Sequence, residues 1–140
     1  MLSQTGIYAL KAMGYIASQT DRTPVLSQTI SDHTKIPQNF LSKILNRLVQ
    51  AGMIRSIRGR GGGFVLAKPA TKIFLKDVVG LFMKLDDFER CFLGNLKCDG
   101  TCGLHERWKL IADQFEALLS ETTIMQIRLI DSEILSNKEM

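Results

Sequence analysis

The sequence predicts a mostly α-helical fold with one small β-hairpin and one long helix near its C-terminal end. Three observations support this fold class. Apolar residues recur at helical spacing through most of the 140 residues. A glycine-rich segment separates two short apolar runs, as in a hairpin. A later apolar run keeps alternating spacings of four and three, which is typical of a long helix packed along another helix.

The first two predicted helices lie before residue 34. Thr5–Ser18 is amphipathic, and its apolar side consists of Ile7, Leu10, Met13, Gly14 and Ala17. A turn separates it from the short helix Ser27–His33. We expect Ser27 to cap that helix, and Leu26 and Ile30 to face the interior.

The third predicted helix combines an apolar stripe with a polar face. Pro37 opens it at a position where the missing N–H costs nothing, and Gly52 ends it. The apolar stripe consists of Leu41, Ile44, Leu45 and Leu48. The opposite face has no acidic residue and carries the amide, hydroxyl and amine groups that reach base edges in a major groove: Gln38, Asn39, Ser42, Lys43 and Asn46. An ordinary solvated face is the alternative.

A β-hairpin is predicted next, from the apolar runs Met53–Arg58 and Phe64–Lys68 around a Gly59–Gly63 tip. Three arginines crowd its base and tip: Arg55, Arg58 and Arg60. A thin ribbon that carries guanidinium groups can lie along the phosphates of a nucleic acid or enter its minor groove. The helices and hairpin in this order predict a winged helix-turn-helix. A nucleotide-binding phosphate loop is the alternative, but its Lys-Ser/Thr pattern opening a helix is absent.

Three more helices are predicted after a connector at 69–76: Leu75–Leu85, Leu104–Leu119 and Thr123–Leu135. The middle one carries an apolar seam of Leu104, Trp108, Ile111, Phe115 and Leu118. The seam suits either the first helix of the same subunit or a second copy of the chain. Leu110, Ala112 and Leu119 widen the apolar face and favour a homodimer.

The charge is divided between two halves of the chain. Residues 1–76 carry eleven Lys and Arg against two acids, a net +9, and residues 77–140 carry seven against twelve, a net −5, which sum to +4. A basic half beside an acidic half indicates that one half binds a polyanion; chance clustering on solvated faces is the alternative.

The predicted units are 1–70, a DNA-binding winged helix-turn-helix whose first helix also packs on the dimer helix; 71–103, a linking helix and Cys-rich loop; and 104–140, the dimerisation helices.

The Cys-rich loop holds all three cysteines, Cys91, Cys98 and Cys102, followed by His105. Three thiols and an imidazole can form a complete four-ligand shell, and thiolate suits zinc or iron–sulfur irons. An odd number of cysteines excludes a closed disulfide framework. The N-terminus predicts neither a signal peptide nor a membrane span, so we expect a reducing cytoplasm, where a Cys cluster indicates metal. Buried structural cysteines are the alternative.

Four segments resemble the bacterial iron–sulfur winged-helix transcriptional repressors of the IscR and NsrR type: GIYALKAM, FLSKILNRLVQAGMI, SIRGRGGGFVLAK and CGLHERW. The similarity runs from about residue 2 to 130, and the Cys-x-x-His-x-x-Trp ending is closer to IscR than to other members. The resemblance implies a homodimer on a palindromic operator, with DNA affinity controlled by an iron–sulfur cluster. By position it implies a wing arginine at Arg58, base contacts from Asn39, Phe40, Ser42 and Lys43, and cluster ligands at Cys91, Cys98, Cys102 and His105.

Two departures from this family stand out. Its cysteines are commonly separated by five residues, whereas here six and then three intervene. Ser42 stands where IscR carries a glutamate. The first departure bears on the cluster type, the second on the target sequence. Members without a cluster also exist, so the winged helix alone does not imply iron.

The leading hypothesis is a cluster-sensing transcription factor with no catalytic residues and no small-molecule substrate. Its predicted DNA contacts are Gln38, Asn39, Phe40, Ser42, Lys43, Arg58 and Arg60. We expect a 2Fe-2S rather than a 4Fe-4S cluster, with His105 as fourth ligand. In related repressors a carboxylate from the partner can fill that role, but Tyr8 stands at the matching position; a water, a small thiol or Asp99 is the alternative. The second hypothesis is an enzyme that uses a Cys3His zinc or iron site, but the sequence shows no evident carboxylate–His or Ser–His pair, and a catalytic metal needs an open position. The third hypothesis is a DNA-binding protein with a structural Cys3His zinc site and no sensing role.

Overall fold

The structure is a computed structural model that describes residues 2–19, 22–85 and 103–128. These residues form six α-helices, a two-stranded antiparallel sheet and one 3₁₀ turn. The predicted fold class, mostly α-helical with a hairpin, is confirmed. In chain order the elements are α1 (Gln4–Ser18), α2 (Ser27–Thr34), α3 (Gln38–Gln50), β1 (Ile54–Ile57), β2 (Gly63–Leu66), the 3₁₀ turn (Ala70–Lys72), α4 (Leu75–Val79), α5 (His105–Glu121) and α6 (Ile124–Ile127).

Helix α1 packs against α2, α3, α4, α6 and β2. Its N-terminus is capped by Ser3, whose hydroxyl accepts from the Gly6 N–H at 3.0 Å. The buried residues of α1 are Gly6, Ala9, Ala12, Met13, Gly14 and Ile16. The predicted apolar side is therefore only partly right, since Ile7, Leu10 and Ala17 are half-buried on its flank. Neighbours surround α1 on several sides, and they approach closely where its residues are small.

The start of α2 differs from the prediction. Ser27 is the first helical residue and does not cap the helix, and Leu26 is 60% exposed. The cause lies one residue earlier, where Val25 pairs with β2 and is 5% exposed. Adjacent residues of an extended chain point to opposite sides, so Leu26 faces outward. Ile30 is buried, as predicted.

Helix α3 was predicted closely. Its stripe is 0–3% exposed: Leu41, Ile44, Leu45 and Leu48. Gly52 follows the helix with φ +77°. Its N–H donates to the Val49 carbonyl and the Met53 N–H donates to the Leu48 carbonyl, both at 3.0 Å. This pair of bonds is a Schellman motif, which terminates α3 and leads directly into β1.

The wing consists of β1, β2 and the tip between them. Ile54 pairs with Leu66 and Ile57 with Gly63. A third short partner was not predicted: the Val25 N–H donates to the Phe64 carbonyl at 3.0 Å, and the Phe64 N–H donates to the Val25 carbonyl at 2.8 Å. The wing is therefore fixed to the segment that leads into α2 at the start of β2, near the tip rather than at the base of the hairpin.

Two predicted helices are shorter in the structure. Helix α4 ends at Val79, with Gly80 as its C-cap, and the chain continues through turns in which Leu81 and Phe82 still pack on the core. Helix α6 ends at Ile127, and residues 129–135 of the predicted last helix lie outside the described residues. After α4 the apolar residues extend beyond the helix, because packing on the core does not require helical backbone.

Backbone bonds connect the start of α4 to the end of α5. The Leu75 N–H donates to the Thr122 carbonyl at 2.9 Å, and the Ile124 N–H donates to the Ile73 carbonyl at 2.8 Å. Phe74 and Thr123 form the bridge between them. The connector that leaves the wing is thus held directly against the C-terminal helices.

The predicted seam of α5 divides into two faces. Ala112 and Leu119 are buried, and Phe115 packs on the core. We call the second face the exposed stripe: it consists of Leu104, Ile111 and Leu118, which are 43%, 52% and 51% exposed. The seam therefore does not pack as one unit within a single chain. None of the helices in the described segments is long and apolar enough to cross a membrane.

Candidate nucleic-acid interface

The recognition face is the polar side of α3, and the structure brings its predicted residues together. All five are exposed: Gln38, Asn39, Ser42, Lys43 and Asn46. The buried stripe on the opposite side of the helix fixes this orientation, because rotating α3 would expose four large apolar side chains. The face therefore presents donors and acceptors to solvent with no carboxylate among them.

Arg47 was missed by the sequence analysis and belongs to the same face. It is exposed and lies four residues, about one helical turn, after Lys43. Gln50 is exposed and follows three residues later. Continuing the helical projection beyond Asn46 would have found both residues. Arg47 adds a second positive charge to the recognition face.

Gln38 is held at both its side chain and its backbone. Its Nε2 donates to the Ser27 hydroxyl oxygen at 2.9 Å, which connects the first residues of α3 and α2. The Ser42 hydroxyl donates to the Gln38 carbonyl at 3.0 Å. The hydroxyl hydrogen of Ser42 is thereby used within the helix, so its oxygen is available to an external group mainly as an acceptor.

The wing displays its arginines around a tip made of backbone. Arg55, Arg58 and Arg60 are all exposed. Gly59 and Gly61 have φ of +93° and +69°, and the Gly62 N–H closes the turn onto the Gly59 carbonyl at 3.0 Å. Added side chains are excluded at Gly62, where a β-carbon would lie 2.3 Å from the Ile57 carbonyl oxygen. The tip is consequently thin, with positive charge on both sides.

Phe40 lies at the edge of the recognition face rather than at its centre. It is 52% exposed, and its ring centroid is 6.4 Å from that of Tyr8 on α1. A second ring contact supports the neighbouring helix, where Tyr15 of α1 stacks on His33 of α2 at 4.9 Å. Partial burial raises the pKa of the Tyr15 phenol, and a side-chain hydrogen bond with Gln19 opposes that rise. Aromatic contacts thus join α1 to both helices of the helix-turn-helix.

Of the four predicted cluster ligands, the structure describes only His105. Cys91, Cys98 and Cys102 lie outside the described residues. His105 is half-buried and is the first residue of α5. Within 2–19, 22–85 and 103–128 no three His, Cys, Asp or Glu side chains are grouped as a metal site. The donor set itself, three thiols and one imidazole, is chemically suited to an iron–sulfur cluster or to zinc.

The arrangement of α2, α3 and the wing defines a helix-turn-helix transcriptional regulator of the winged type. Residues 2–128 match the Rrf2 family, described as iron-dependent transcriptional regulators, and the chain belongs to that family. Membership of a regulator family excludes the enzyme hypothesis. The resemblance seen in the sequence is confirmed at the level of the family.

Individual relatives agree with this assignment. The HTH-type transcriptional regulator IscR of Escherichia coli is 30% identical over 141 residues, covering 99% of this chain and 82% of that protein. A protein of Aquifex aeolicus, provisionally described as an HTH-type transcriptional regulator, is 34% identical over 131 residues, with 91% and 90% coverage.

Two solved structures share the fold. The structure of IscR from T. potens superposes with a TM-score of 0.69 at 22% identity, covering 99% of this chain and 88% of that one. The structure of CymR from Staphylococcus aureus superposes with a TM-score of 0.71 at 24% identity, with 92% and 99% coverage. These superpositions confirm the predicted winged helix-turn-helix.

Proposed function

We propose that this protein is a homodimeric cytoplasmic transcription factor whose affinity for a palindromic operator is controlled by an iron–sulfur cluster. One observation carries the DNA-binding part of the proposal. The acid-free recognition face of α3 and the arginine-bearing wing are joined through the three residues Ala51, Gly52 and Met53, which are held by backbone hydrogen bonds. A rigid unit can bind duplex DNA when it places polar side chains that contact bases beside positive charges that contact phosphates.

In this proposal α3 enters the major groove. Its amides and Lys43 contact base edges, and Arg58 and Arg60 of the wing contact phosphates or an adjacent minor groove. The net charge of +9 over residues 1–76 supplies the attraction that does not depend on sequence. The predicted DNA contacts are Gln38, Asn39, Phe40, Ser42, Lys43, Arg58 and Arg60, and the exposure of Arg47 beside Lys43 supports proposing it as a further contact.

The exposed stripe of α5 supports the proposed homodimer. Its three residues recur every seven positions, and a seven-residue repeat matches the packing of one helix along another. Exposing three large aliphatic side chains in a row costs free energy that a second copy of the same stripe removes. A symmetric pair of α5 helices would also place two recognition faces in a two-fold relation, which matches a palindromic operator.

The cluster would be held by Cys91, Cys98, Cys102 and His105 of one chain, and we propose a 2Fe-2S type. When bound, such a cluster supplies a centre that responds to iron supply, redox state or nitric oxide. The segment that carries the cysteines joins α4 to α5, and His105 is already at the start of α5. Binding at these ligands would therefore act on the helix that carries the exposed stripe, and through it on the spacing of the two recognition faces.

Purification without oxygen tests the cluster directly. Brown protein with visible absorption and about equal iron and acid-labile sulfide is the expected result. Footprinting of holo and apo protein on the same operators then tests control, which requires a free-energy difference of about 1–3 kcal/mol between the two forms. Identical occupancy curves on every operator would show that the cluster has no regulatory role.

A second candidate is a winged-helix DNA-binding protein with a structural zinc site and no sensing role. The same Cys3His donor set favours it, because a closed four-ligand shell is typical of structural zinc. Colourless protein with one zinc per chain, and DNA binding insensitive to redox conditions, would establish this candidate instead.

A further inference from the structure

Ser27 and Gln38 are connected across the helix-turn-helix. Both residues open their helices, and the Gln38 Nε2 donates to the Ser27 hydroxyl oxygen at 2.9 Å. Eleven residues separate them in the chain, so the bond is a tertiary contact. Gln38 is exposed, and without a partner a glutamine at the first turn of a helix would sample several rotamers.

The bond determines what the amide presents to an external partner. One of the two Nε2 hydrogens is used on Ser27, which leaves Oε1 as acceptor and one N–H as donor. The Ser42 hydroxyl holds the Gln38 carbonyl at 3.0 Å, so the backbone of this residue is fixed as well. A side chain held in this way loses less conformational freedom when it meets a partner.

We propose that Ser27 is a positioning residue that orients the Gln38 amide for base recognition. This inference rests on the proposed function, in which α3 enters the major groove. The base edge that fits an acceptor beside a single donor is adenine, which presents its N6 amino group next to N7. Gln38 therefore selects an A·T pair at one position of each half-site, and Ser27 supplies selectivity without touching DNA.

The experiment uses the full-length holo protein and a duplex selected from a random library by that protein. Affinities are measured by anisotropy at fixed salt on the selected duplex and on duplexes substituted singly at each position. Gln38→Ala should abolish the preference at one position, a loss of roughly 5–100-fold in discrimination. Ser27→Ala should lower discrimination at that same position by roughly 2–10-fold and leave the other positions unchanged.

Three controls isolate the positioning role. Ser27→Thr keeps a hydroxyl and should retain wild-type discrimination. In the Gln38→Ala background, Ser27→Ala should have no further effect, since the side chain that it orients is gone. Ser18→Ala removes a hydroxyl bonded to the Tyr15 carbonyl within α1 and should behave as wild type. Thermal unfolding of each variant, followed by circular dichroism, verifies that the fold is intact.

The outcomes separate this inference from the proposed function. Uniform weakening of all duplexes by Ser27→Ala would show a phosphate contact and overturn the positioning role, as would additive effects of the two substitutions. Full preference retained by Gln38→Ala would overturn base recognition by Gln38 while leaving DNA binding intact. Failure of the wild-type holo protein to select any duplex would overturn the proposed function itself.

Discussion

The backbone of Val25 lies directly against Gly63. A β-carbon on Gly63 would be 2.6 Å from the carbonyl carbon and oxygen of Val25 and 2.8 Å from its nitrogen. The glycine also has φ +144°, which other residues rarely adopt. Gly63 thus allows the close approach that fixes the wing to the segment before α2.

Gly63→Ala should lower the free energy of unfolding by about 1–3 kcal/mol, because it introduces both backbone strain and a clash with Val25. Urea denaturation measures the change. Gly61→Asn is the matched control: no atom lies within 4 Å of an added β-carbon there, and asparagine tolerates the φ of +69° better than most residues. Equal stability of the two variants would contradict the role assigned to the close approach.

Arg58→Ala should weaken operator binding by about 1–3 kcal/mol if this exposed guanidinium contacts a groove. Anisotropy at fixed salt on one operator provides the measurement. Lys68→Ala is a suitable control, since it removes one exposed positive charge just after β2, away from the tip. Equal affinity of wild type and Arg58→Ala would rule out groove contact by the wing.

Lys43 and Arg60 should differ in the kind of binding that they support. Lys43→Ala should weaken binding and also reduce sequence preference, because Lys43 lies on the recognition face. Arg60→Ala should mainly lower the slope of log affinity against log salt, by roughly one per chain, as expected for a lost phosphate contact. Salt titrations on specific and random duplexes separate the two effects, and identical behaviour of both variants would contradict the assignment.

Ile111→Glu should weaken the dimer, because the exposed stripe would carry a charge into the contact between subunits. Ile111 is 52% exposed, so about half of the roughly 1.5–3 kcal/mol for fully burying an isoleucine is lost in each subunit. Over both subunits this is about 1.5–3 kcal/mol, at least roughly tenfold in the dimer dissociation constant. Sedimentation equilibrium measures that constant. Leu110→Glu is the control: the sequence predicted Leu110 on the same widened apolar face, but in the structure it is 64% exposed and lies one residue, about 100° around α5, from Ile111. A dimer equally weakened by both changes would argue against the stripe.

His105→Cys should retain a cluster and lower its reduction potential, because an anionic thiolate replaces a neutral imidazole. Visible spectra and redox titration of anaerobic protein provide the readouts. His105→Ala should alter both the spectrum and the potential. An unchanged spectrum and potential in His105→Ala would mean that His105 is not a ligand.

The helix boundaries that could be predicted were those with local chemical signals. Pro37 and Gly52 mark the ends of α3, and each acts on the backbone at its own position. The predicted ends of α4 and α6 depended on apolar spacing alone. Leu81 and Phe82 continue that spacing while the backbone forms turns. The apolar pattern therefore predicts which residues are buried, but it does not show that their backbone is helical.

Tertiary contacts were harder to predict from the sequence. Val25 pairs with Phe64 over a single residue, too short to produce an alternating pattern, and that pairing turned Leu26 outward against expectation. The seam of α5 was found, but its division into a buried and an exposed face depends on where α4 packs. The exposure of the polar face of α3 was predicted, because an acid-free helical surface can be identified from sequence alone, and its DNA contacts stay a prediction. The cluster ligands Cys91, Cys98 and Cys102 stay a prediction.

The Schellman motif at Gly52 has a consequence for the geometry of the operator. Because α3 and the wing are joined by only three residues, all held by backbone hydrogen bonds, we expect neither to move independently of the other. Inserting one base pair between the half-sites rotates one of them about the duplex axis by roughly 35°. In the proposed dimer that rotation has to be absorbed by the contact between subunits or by twisting of the DNA itself. Affinity should therefore depend as strongly on the number of base pairs between the half-sites as on the bases within them.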